Sequence, residues 1–247
     1  MDLIELARRV AEIVKSSDYV IAFTGAGVSA ESGVPTFRGR GGLWERFKPE
    51  ELATPEAFRR NPKLVWEWYK WRMEIIYNAK PNSAHIVLAK MGEKGLLKAL
   101  ITQNVDGLHQ RAGSKNVVEL HGNIWRVKCI SCNYKGRFDK PPDVVPPRCP
   151  NCGSLLRPDV VWFGEPLPKS AWEKAVVEAS IADVMIVIGT SGVVMPAGML
   201  PWVTKKKGGK VIEVNIEASA ITPIADIFVK CRAGEFFSLL GKELKII

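Results

Sequence analysis

The chain has 247 residues, of which 47% are hydrophobic, 25% charged and 9% aromatic. This composition is ordinary for a globular protein and excludes a disordered or fibrous chain. No uninterrupted apolar run approaches the roughly 20 residues that a membrane-spanning helix needs. The 35 Lys and Arg exceed the 26 Asp and Glu and give a formal charge of +9, but these basic residues are scattered along the chain.

The N-terminal segment predicts an amphipathic helix over residues 2–16. Asp2 and Glu5 lie near its start, where an export signal would carry basic residues followed by an apolar stretch. We therefore expect a cytoplasmic protein that is neither exported nor associated with a membrane.

Further along the chain, short apolar runs alternate with helical stretches. The runs are rich in Val and Ile and show almost no polar alternation, which is typical of strands covered on both faces. They cover 19–24, 99–102, 117–120, 184–188 and 211–215, with 227–229 as a sixth, and helices are expected over 83–95, 170–180 and 196–207. This order predicts an α/β fold with a Rossmann-type, doubly wound parallel sheet.

Two segments interrupt the strand–helix alternation. Residues 36–80 are helical in pattern and rich in Trp, and residues 124–159 are rich in Pro, Lys and Arg. We expect them to form a smaller helical and zinc-ribbon domain inserted into the larger one. The larger domain then consists of 1–35, 81–123 and 160–247.

Four of the five cysteines predict a metal site. They form two Cys-x-x-Cys pairs separated by sixteen residues, Cys129 with Cys132 and Cys149 with Cys152. Two such pairs complete a closed tetrahedral shell of four sulfurs, as structural zinc requires. Two disulfides are the alternative, which a reducing compartment disfavours. We expect one structural Zn²⁺ with no open position for catalysis.

A glycine-rich turn follows the first predicted strand. The sequence Gly25-Ala26-Gly27-Val28-Ser29-Ala30 matches the G-x-G-x-x-G/A pattern of a phosphate-binding turn, which also occurs as a plain turn. The acidic residue that usually ends the second strand of such a fold is missing. A long glycine-rich segment over 33–44 follows instead, and we expect it to be a mobile lid over the ligand.

Four later strands also end in polar residues. In an open parallel sheet, ligands bind outside the carboxyl ends of the strands, so these groups are expected to meet at one edge. Each of them, taken alone, is also compatible with a helix cap. The groups are Gln103-Asn104-Val105-Asp106, His121-Gly122-Asn123, Gly189-Thr190-Ser191 and Asn215-Ile216-Glu217.

In combination these motifs resemble the sirtuins, the NAD-dependent protein deacylases, from Ile21 to Ala233. The resemblance rests on the glycine-rich turn, the four cysteines and five further motifs: Pro35-Thr36-Phe37-Arg38, Thr102-Gln103-Asn104-x-Asp106, Leu120-His121-Gly122, Phe163-Gly164-Glu165 and Gly189-Thr190-Ser191. It implies a Rossmann-type domain, a small zinc domain and an acyl-lysine tunnel between them.

The resemblance also implies a reaction in which NAD is consumed. In the family, the acyl oxygen attacks C1′ of the nicotinamide ribose, nicotinamide leaves, and a base activates a ribose hydroxyl. The products are free lysine, nicotinamide and O-acyl-ADP-ribose. Imidazole titrates near neutrality, so His121 fits the base. His85 and His109 are expected to be structural.

The remaining family roles fall on residues that match its motifs. Asn104 and Asp106 orient the nicotinamide ribose and amide. The NAD site comprises Gly25, Ala26, Gly27, Ser29, Thr36, Phe37, Arg38, Trp44, Gln103, Asn104, Val105, Asp106, Gly189, Thr190, Ser191, Asn215, Ile216, Glu217 and Ala233. The acyl-lysine site comprises Tyr69, Arg72, Val161, Phe163, Gly164 and Glu165.

Tyr69 and Arg72 are three residues apart, so on a helix they share a face. From this pattern alone, Tyr69 is a core residue and Arg72 a surface residue whose stem lies along apolar side chains. The resemblance instead places this chain in the branch that removes succinyl and malonyl groups, where phenol and guanidinium hold the acyl carboxylate. Thr36, where many sirtuins have Asp, agrees with that branch.

Two other functions share some of these features. A protein ADP-ribosyltransferase would use NAD for the first half of the same chemistry. A DNA-attached zinc-ribbon protein would need more positive charge than the zinc segment carries. We therefore expect acyl-lysine proteins or peptides as partners, basic chromatin-like proteins among them, with no nucleic-acid site, and a monomer or weak oligomer.

Overall fold

The computed structural model describes residues 2–38 and 41–247. The lid predicted over 33–44 therefore includes two residues, at positions 39 and 40, that lie outside the described residues. No described helix combines the length and apolar character needed to cross a bilayer.

Six parallel strands form the main sheet, and all six were predicted. Their order across the sheet is β3-β2-β1-β7-β8-β9, so that β1 lies between β2 and β7. The strands are β1 (Val20–Thr24), β2 (Ala99–Thr102), β3 (Val117–Glu119), β7 (Val184–Ile188), β8 (Lys210–Asn215) and β9 (Ile227–Lys230). The doubly wound parallel sheet is thereby confirmed.

Helices cover both faces of this sheet, as the unbroken apolar runs require. Val20 and Ala22 of β1 belong to one hydrophobic cluster, with α1 (Leu3–Lys15), α5 (Ser83–Glu93) and α9 (Ala233–Glu243). Ile21 and Phe23, which point to the opposite face, belong to a second cluster, with α7 (Lys169–Ile181) and α8 (Leu200–Lys206).

The two interrupting segments pack together around a third hydrophobic cluster. The first contains α2 (Pro49–Leu52), α3 (Pro55–Arg60) and α4 (Pro62–Asn78), and a short α6 (Leu108–Arg111) follows β2. The second forms an antiparallel sheet of order β5-β4-β6, with β4 (Gly122–Cys129), β5 (Lys135–Arg137) and β6 (Leu156–Val160). Both β4 and β6 extend across the predicted domain boundaries.

The sequence at the start of α4 contains the signals that begin this helix. Asn61 precedes it, and its side chain accepts a hydrogen bond from the Leu64 N–H, while Pro62 occupies the first helical position. Trp66 is fully buried on the inner face and donates its indole N–H to the Leu156 carbonyl at 2.8 Å. This bond fixes α4 against the antiparallel sheet.

The glycine-rich turn after β1 continues directly into a short helix. Residues Ala26–Ser32 form a 3₁₀ helix, whose tighter i→i+3 bonds include that from the Val28 N–H to the Gly25 carbonyl at 3.1 Å. Gly33 ends it in the left-handed region, with φ of 83°. The phosphate-binding pattern therefore opens a short, tight helix.

A close backbone approach at Gly122 gives a test of this packing. Its φ is 80°, and an added Cβ would lie 2.2 Å from the Asp159 carbonyl oxygen on β6. We expect Gly122→Ala to lower the free energy of unfolding by more than about 2 kcal/mol, because strain and a backbone clash add. Gly95→Ala, with φ of 73° and open space around it, should cost only about 1 kcal/mol. Urea unfolding of both variants measures the difference, and equal costs would contradict this packing.

Candidate active site

A cavity of about 950 Å³ lies between the carboxyl edge of the main sheet and the smaller antiparallel unit. Its volume is within the range of small-molecule sites. The predicted residues that line it are Gly25, Ala26, Gly27, Thr36, Phe37, Arg38, Trp44, Tyr69, Arg72, Gln103, Asn104, Val105, His121, Val161, Phe163, Gly164, Glu165, Gly189, Thr190, Ser191, Asn215, Ile216, Glu217 and Ala233.

The floor of the cavity forms where the strand order reverses between β2, β1 and β7, the usual ligand position in such sheets. The Gly27 N–H donates to the Gly189 carbonyl at 2.8 Å, and an added Cβ on either glycine would clash with the other's backbone. Side chains then link the neighbouring strand ends. Gln103 Nε2 donates to Thr190 Oγ1 at 2.9 Å, and Asn215 Nδ2 donates to the Thr190 carbonyl at 3.0 Å.

His121 follows β3 and lines the middle of the cavity. Its Nδ1 lies 3.0 Å from the Gln103 carbonyl. Because a carbonyl oxygen only accepts, Nδ1 carries the proton and Nε2 keeps its lone pair. Burial lowers the pKa of His121, while the hydrogen bond to Gln103 partly raises it. The neutral imidazole is therefore the form present near pH 7, as a base requires.

Two predicted site residues do not line the cavity. Ser29 and Asp106 lie behind its wall, where Ser29 Oγ donates to the Asp106 carboxylate at 2.8 Å. Asn104 connects them to the cavity, since its Nδ2 donates to Ser29 Oγ at 3.2 Å. Burial raises the pKa of Asp106, whereas the hydrogen bonds that it accepts from the Leu108 N–H and from Ser29 lower it. The pair thus supports Asn104 from behind.

His85 and His109 lie in the same buried region, in agreement with the structural role expected for them. The backbone N–H of Asn82 donates to His85 Nδ1 at 3.2 Å, so His85 carries its proton on Nε2, which faces Ser29. Burial lowers the pKa of His85 to about 4, and that of His109 well below its ordinary value.

At one end of the cavity, Arg72 of α4 is enclosed by aromatic rings. Its side chain is buried, with the guanidinium carbon 4.7 Å from the centre of Phe37 and 4.8 Å from that of Trp68. In the described part of the chain, this guanidinium forms neither a salt bridge nor a hydrogen bond. Burial lowers its pKa, and Asp106 acts in the opposite direction. The surface position that the helical pattern alone favoured is therefore wrong, and Arg72 lines the cavity as the resemblance implies.

The segment that carries Thr36 and Phe37 is held over this end by backbone and aromatic contacts. The Leu43 N–H donates to the Thr36 carbonyl at 2.9 Å, and the Trp44 N–H donates to the Phe37 carbonyl at 3.0 Å. The ring of Trp44 stacks at 5.8 Å on Trp68 of α4. Arg38 is exposed at the cavity rim.

At the opposite end, the loop after β8 brings Asn215, Ile216 and Glu217 to the cavity, with Ala233 at the start of α9. A fully buried carboxylate organises this loop. Glu213 accepts hydrogen bonds from the hydroxyls of Ser219, at 2.5 Å, and Thr222, at 2.6 Å. Polar groups at this end and backbone at the floor provide the partners that an extended dinucleotide such as NAD requires.

Sequence reasoning missed several residues of the site. Trp68 and Glu213 lie inside a predicted helical segment and a predicted strand and carried no signal of their own, and Trp162 lies between two predicted site residues. A stretch directly after the Gly189 strand end also lines the cavity, and its position there was the available signal. It comprises Val193, Val194, Met195 and Pro196.

The four cysteines form the predicted metal centre. Their sulfurs all lie within 4.8 Å of one another, with 3.5 Å between Cys129 and Cys152 and 3.6 Å between Cys132 and Cys149. A zinc ion at about 2.3 Å from four tetrahedral sulfurs sets them about 3.8 Å apart. No disulfide joins these cysteines, which disfavours the disulfide alternative. This donor set fits one structural Zn²⁺.

Basic residues around this centre are largely paired with acids. Arg126 contacts Glu119 at 2.6 Å, Lys128 contacts Asp159 at 3.1 Å, and a further pair joins Arg157 to Glu165. Paired charges offer little to phosphate groups. This arrangement disfavours the zinc-ribbon DNA-binding alternative.

The fold and the cavity define an α/β protein with a dinucleotide crevice and an inserted metal module. The model of the Sir2 family matches residues 25–196, and the chain belongs to this family. The resemblance found in the sequence is thereby confirmed.

Relatives of this chain carry matching names. It is 61% identical over 236 residues to NAD-dependent protein deacylase 2 of Pyrobaculum aerophilum, covering 96% of this chain and 95% of that protein. It is 59% identical over 244 residues to the NAD-dependent protein deacylase of Thermococcus kodakarensis, covering 96% and 95%.

Solved structures agree with the fold throughout its length. A Sir2 homologue–NAD complex is 51% identical, with a TM-score of 0.91, over 96% of this chain and 93% of that one. A Sir2–p53 peptide–NAD⁺ complex is 38% identical, with a TM-score of 0.88, over 97% and 98%.

Removal of the metal provides a test of the zinc centre. Structural zinc contributes on the order of 10 kcal/mol of apparent binding free energy to folding. We expect the purified protein to contain one zinc, and Cys129→Ala/Cys132→Ala to contain none and to lose the antiparallel sheet. Metal analysis and circular dichroism measure both effects, with Cys231→Ala as the control that keeps the metal. A folded, fully active double variant without metal would contradict a structural role.

Proposed function

We propose that this protein is an NAD-dependent protein-lysine deacylase that removes succinyl and malonyl groups as well as acetyl. Membership of the Sir2 family and the names of its relatives support the deacylase activity. The acyl preference rests on one observation, the buried Arg72 without an acceptor in the described part of the chain, at the aromatic end of the cavity.

The proposed role of His121 follows from its protonation. NAD, when bound, supplies the ribose hydroxyl that accepts the acyl group, and nicotinamide is released. With Nδ1–H held by the Gln103 carbonyl, Nε2 is free to take the proton of that hydroxyl. The Gln103 contact fixes the ring toward the cavity centre, between the acyl end and the dinucleotide floor. One water is consumed when the lysine amine is released, and lysine, nicotinamide and O-acyl-ADP-ribose are the products.

Arg72 supplies the preference for an acidic acyl group. A buried cation without a partner is costly, so a ligand carboxylate that reaches it gains both charge pairing and hydrogen bonds. Planar guanidinium suits a two-point grip on a carboxylate. Acetyl-lysine is uncharged at its acyl end, and it fits the same cavity without using this contact.

Several finer expectations stay predictions. They concern the protein substrates, with basic chromatin-like proteins among them, the monomeric or weakly oligomeric state, and the cytoplasmic location. Protein ADP-ribosyl transfer stays the alternative reaction. Label moving from NAD onto a protein side chain, without loss of the acyl group, would establish that alternative.

Loss of the proposed base should abolish most of the deacylation. We expect His121→Ala to lower turnover by about 10²–10⁴-fold, the usual contribution of a positioned base. The affinity for NAD should change much less, because the imidazole acts after nicotinamide leaves. Steady-state kinetics and NAD-binding calorimetry separate the two quantities. Turnover near that of the unaltered protein would rule out this role.

The protonation of His121 predicts the acid side of the pH profile. Its pKa is lowered by burial, so the neutral base persists below the ordinary value of about 6.5. We expect kcat to hold steady from pH 8 down to about 6.5 and to fall only below that pH, as the ring becomes protonated. A measured kcat–pH profile that falls already between pH 8 and 7 would contradict this assignment.

Arg72→Met separates the acidic-acyl function from plain deacetylation. The variant keeps length and apolar volume but loses the charge and the donors. We expect desuccinylation efficiency to fall by about 10²-fold or more, at roughly 1.4 kcal/mol per decade, and deacetylation to hold steady or rise. Tyr69→Phe should act in the same direction but less strongly, since it loses one hydroxyl.

The measurement uses one peptide in succinyl-, malonyl- and acetyl-lysine forms, each with and without NAD, followed by mass spectrometry. Arg59→Met is the matched control, because Arg59 lies exposed on α3 in an ion pair with Glu56. It should leave all three substrates unchanged. Equal losses for succinyl and acetyl in Arg72→Met would leave a plain deacetylase.

A further inference from the structure

Trp162 and Tyr69 make a buried contact beside the acyl end of the cavity. Trp162 Nε1 lies 2.9 Å from Tyr69 Oη, and both side chains are buried. An indole N–H can only donate, so the phenolic oxygen of Tyr69 accepts this hydrogen bond. The tyrosine proton is therefore not used in this contact.

In residues 2–38 and 41–247, the Trp162 contact is the one hydrogen bond of the Tyr69 hydroxyl. Its proton thus has no acceptor within the described protein. Tyr69 lines the cavity beside Arg72, whose guanidinium carbon lies 5.8 Å from the tyrosine ring centre. Two unused donors, one hydroxyl and one guanidinium, therefore stand together at the same end of the cavity.

Trp162 is itself fixed from three sides. The guanidinium carbon of Arg157 lies 3.5 Å from the centre of its ring, and Phe58 packs at 5.3 Å. Glu165 binds Arg157 through both carboxylate oxygens, at 2.6 and 2.9 Å, and also accepts the backbone N–H of Trp162 at 2.9 Å. The indole N–H cannot turn away from Tyr69 without breaking this packing.

From this arrangement we infer that Trp162 is a specificity-determining positioning residue: by donating to the Tyr69 oxygen, it directs the tyrosine proton toward an acyl carboxylate held by Arg72. The inference rests on the proposed acidic-acyl function. Without the indole donor, the hydroxyl oxygen is free to accept elsewhere, and its proton loses a fixed direction. A carboxylate-bearing acyl group then loses an ordered donor, whereas an acetyl group loses nothing.

Trp162→Phe tests this role, because it keeps an aromatic ring against Arg157 and removes the indole N–H together with part of the ring volume, for which the packing control below accounts. With saturating NAD, we expect KM for the succinyl-lysine peptide to rise about 5- to 10-fold, the effect of one hydrogen bond. Its kcat should stay within about 2-fold. The succinyl-to-acetyl ratio of kcat/KM for the same peptide should therefore fall about 5- to 10-fold, and the remaining deacetylation reports that the variant is folded.

Phe58→Leu is the matched control for disturbed packing around Trp162, since Phe58 contacts the ring but not the N–H. Phe58→Leu should change kcat/KM for the succinyl- and the acetyl-lysine peptide by the same factor. Adding Trp162→Phe to Tyr69→Phe should leave the succinyl-to-acetyl ratio of the single Tyr69→Phe variant unchanged, because the hydroxyl is already gone. Full additivity of the two changes, or equal losses for both substrates in Trp162→Phe, would overturn the inference.

Arg72→Met separates this inference from the function on which it rests. If Arg72→Met lowers desuccinylation and deacetylation equally, the acidic-acyl function is refuted, and the role of Trp162 is refuted with it. If Arg72→Met is selective for succinyl while Trp162→Phe leaves the succinyl-to-acetyl ratio unchanged, the function stands and only the inference is overturned.

Discussion

The whole site depends on the contact between two glycines at the carboxyl edge of the sheet. Gly27 and Gly189 join β1 and β7 backbone to backbone, at 2.8 Å between nitrogen and oxygen, and neither position has room for a Cβ. Side chains here would fill the floor and separate the strand ends. Because the loops meet this closely, Gln103 and Asn215 reach Thr190 from opposite sides, and one cavity extends along the carboxyl edge of the sheet.

A buried positive charge, that of Arg72, lies at the other end of the cavity. Arg72 is surrounded by Phe37, Trp68 and Tyr69, whose ring faces offer a cation weak attraction but no counter-charge. Such an environment holds the guanidinium in place while leaving its donors unused. The carboxylate of the proposed acyl group would meet this charge in a partly apolar setting, where charge pairing is stronger than in water.

Sequence reasoning recovered the sheet because each strand is buried on both faces and reads as an unbroken apolar run. It also recovered the cavity lining at the strand ends, since the carboxyl ends of parallel strands must meet at one edge, while the resemblance to the sirtuins supplied the residues of the acyl end. The sequence could not show that Ser29 and Asp106 lie behind the cavity wall. The distance of a side chain from a cavity produces no periodic pattern in the sequence. Sequence reasoning missed the Trp162 contact with Tyr69, which joins residues 93 positions apart. The helical pattern alone could not show that Arg72 is buried, because its burial depends partly on Phe37, which is distant in sequence.

His121 lies in the short connection between the parallel sheet and the antiparallel sheet. Strand β3 of the parallel sheet ends at Glu119 and strand β4 of the antiparallel sheet begins at Gly122, so only Leu120 and His121 lie between the two sheets. This connection is too short to form a flexible loop, and Gly122 packs directly on β6. The Val161 N–H, directly after β6, donates to the His121 carbonyl at 2.9 Å. The imidazole is thereby attached to both sheets at once, so its place follows from the junction of the two sheets and not from the conformation of a free loop.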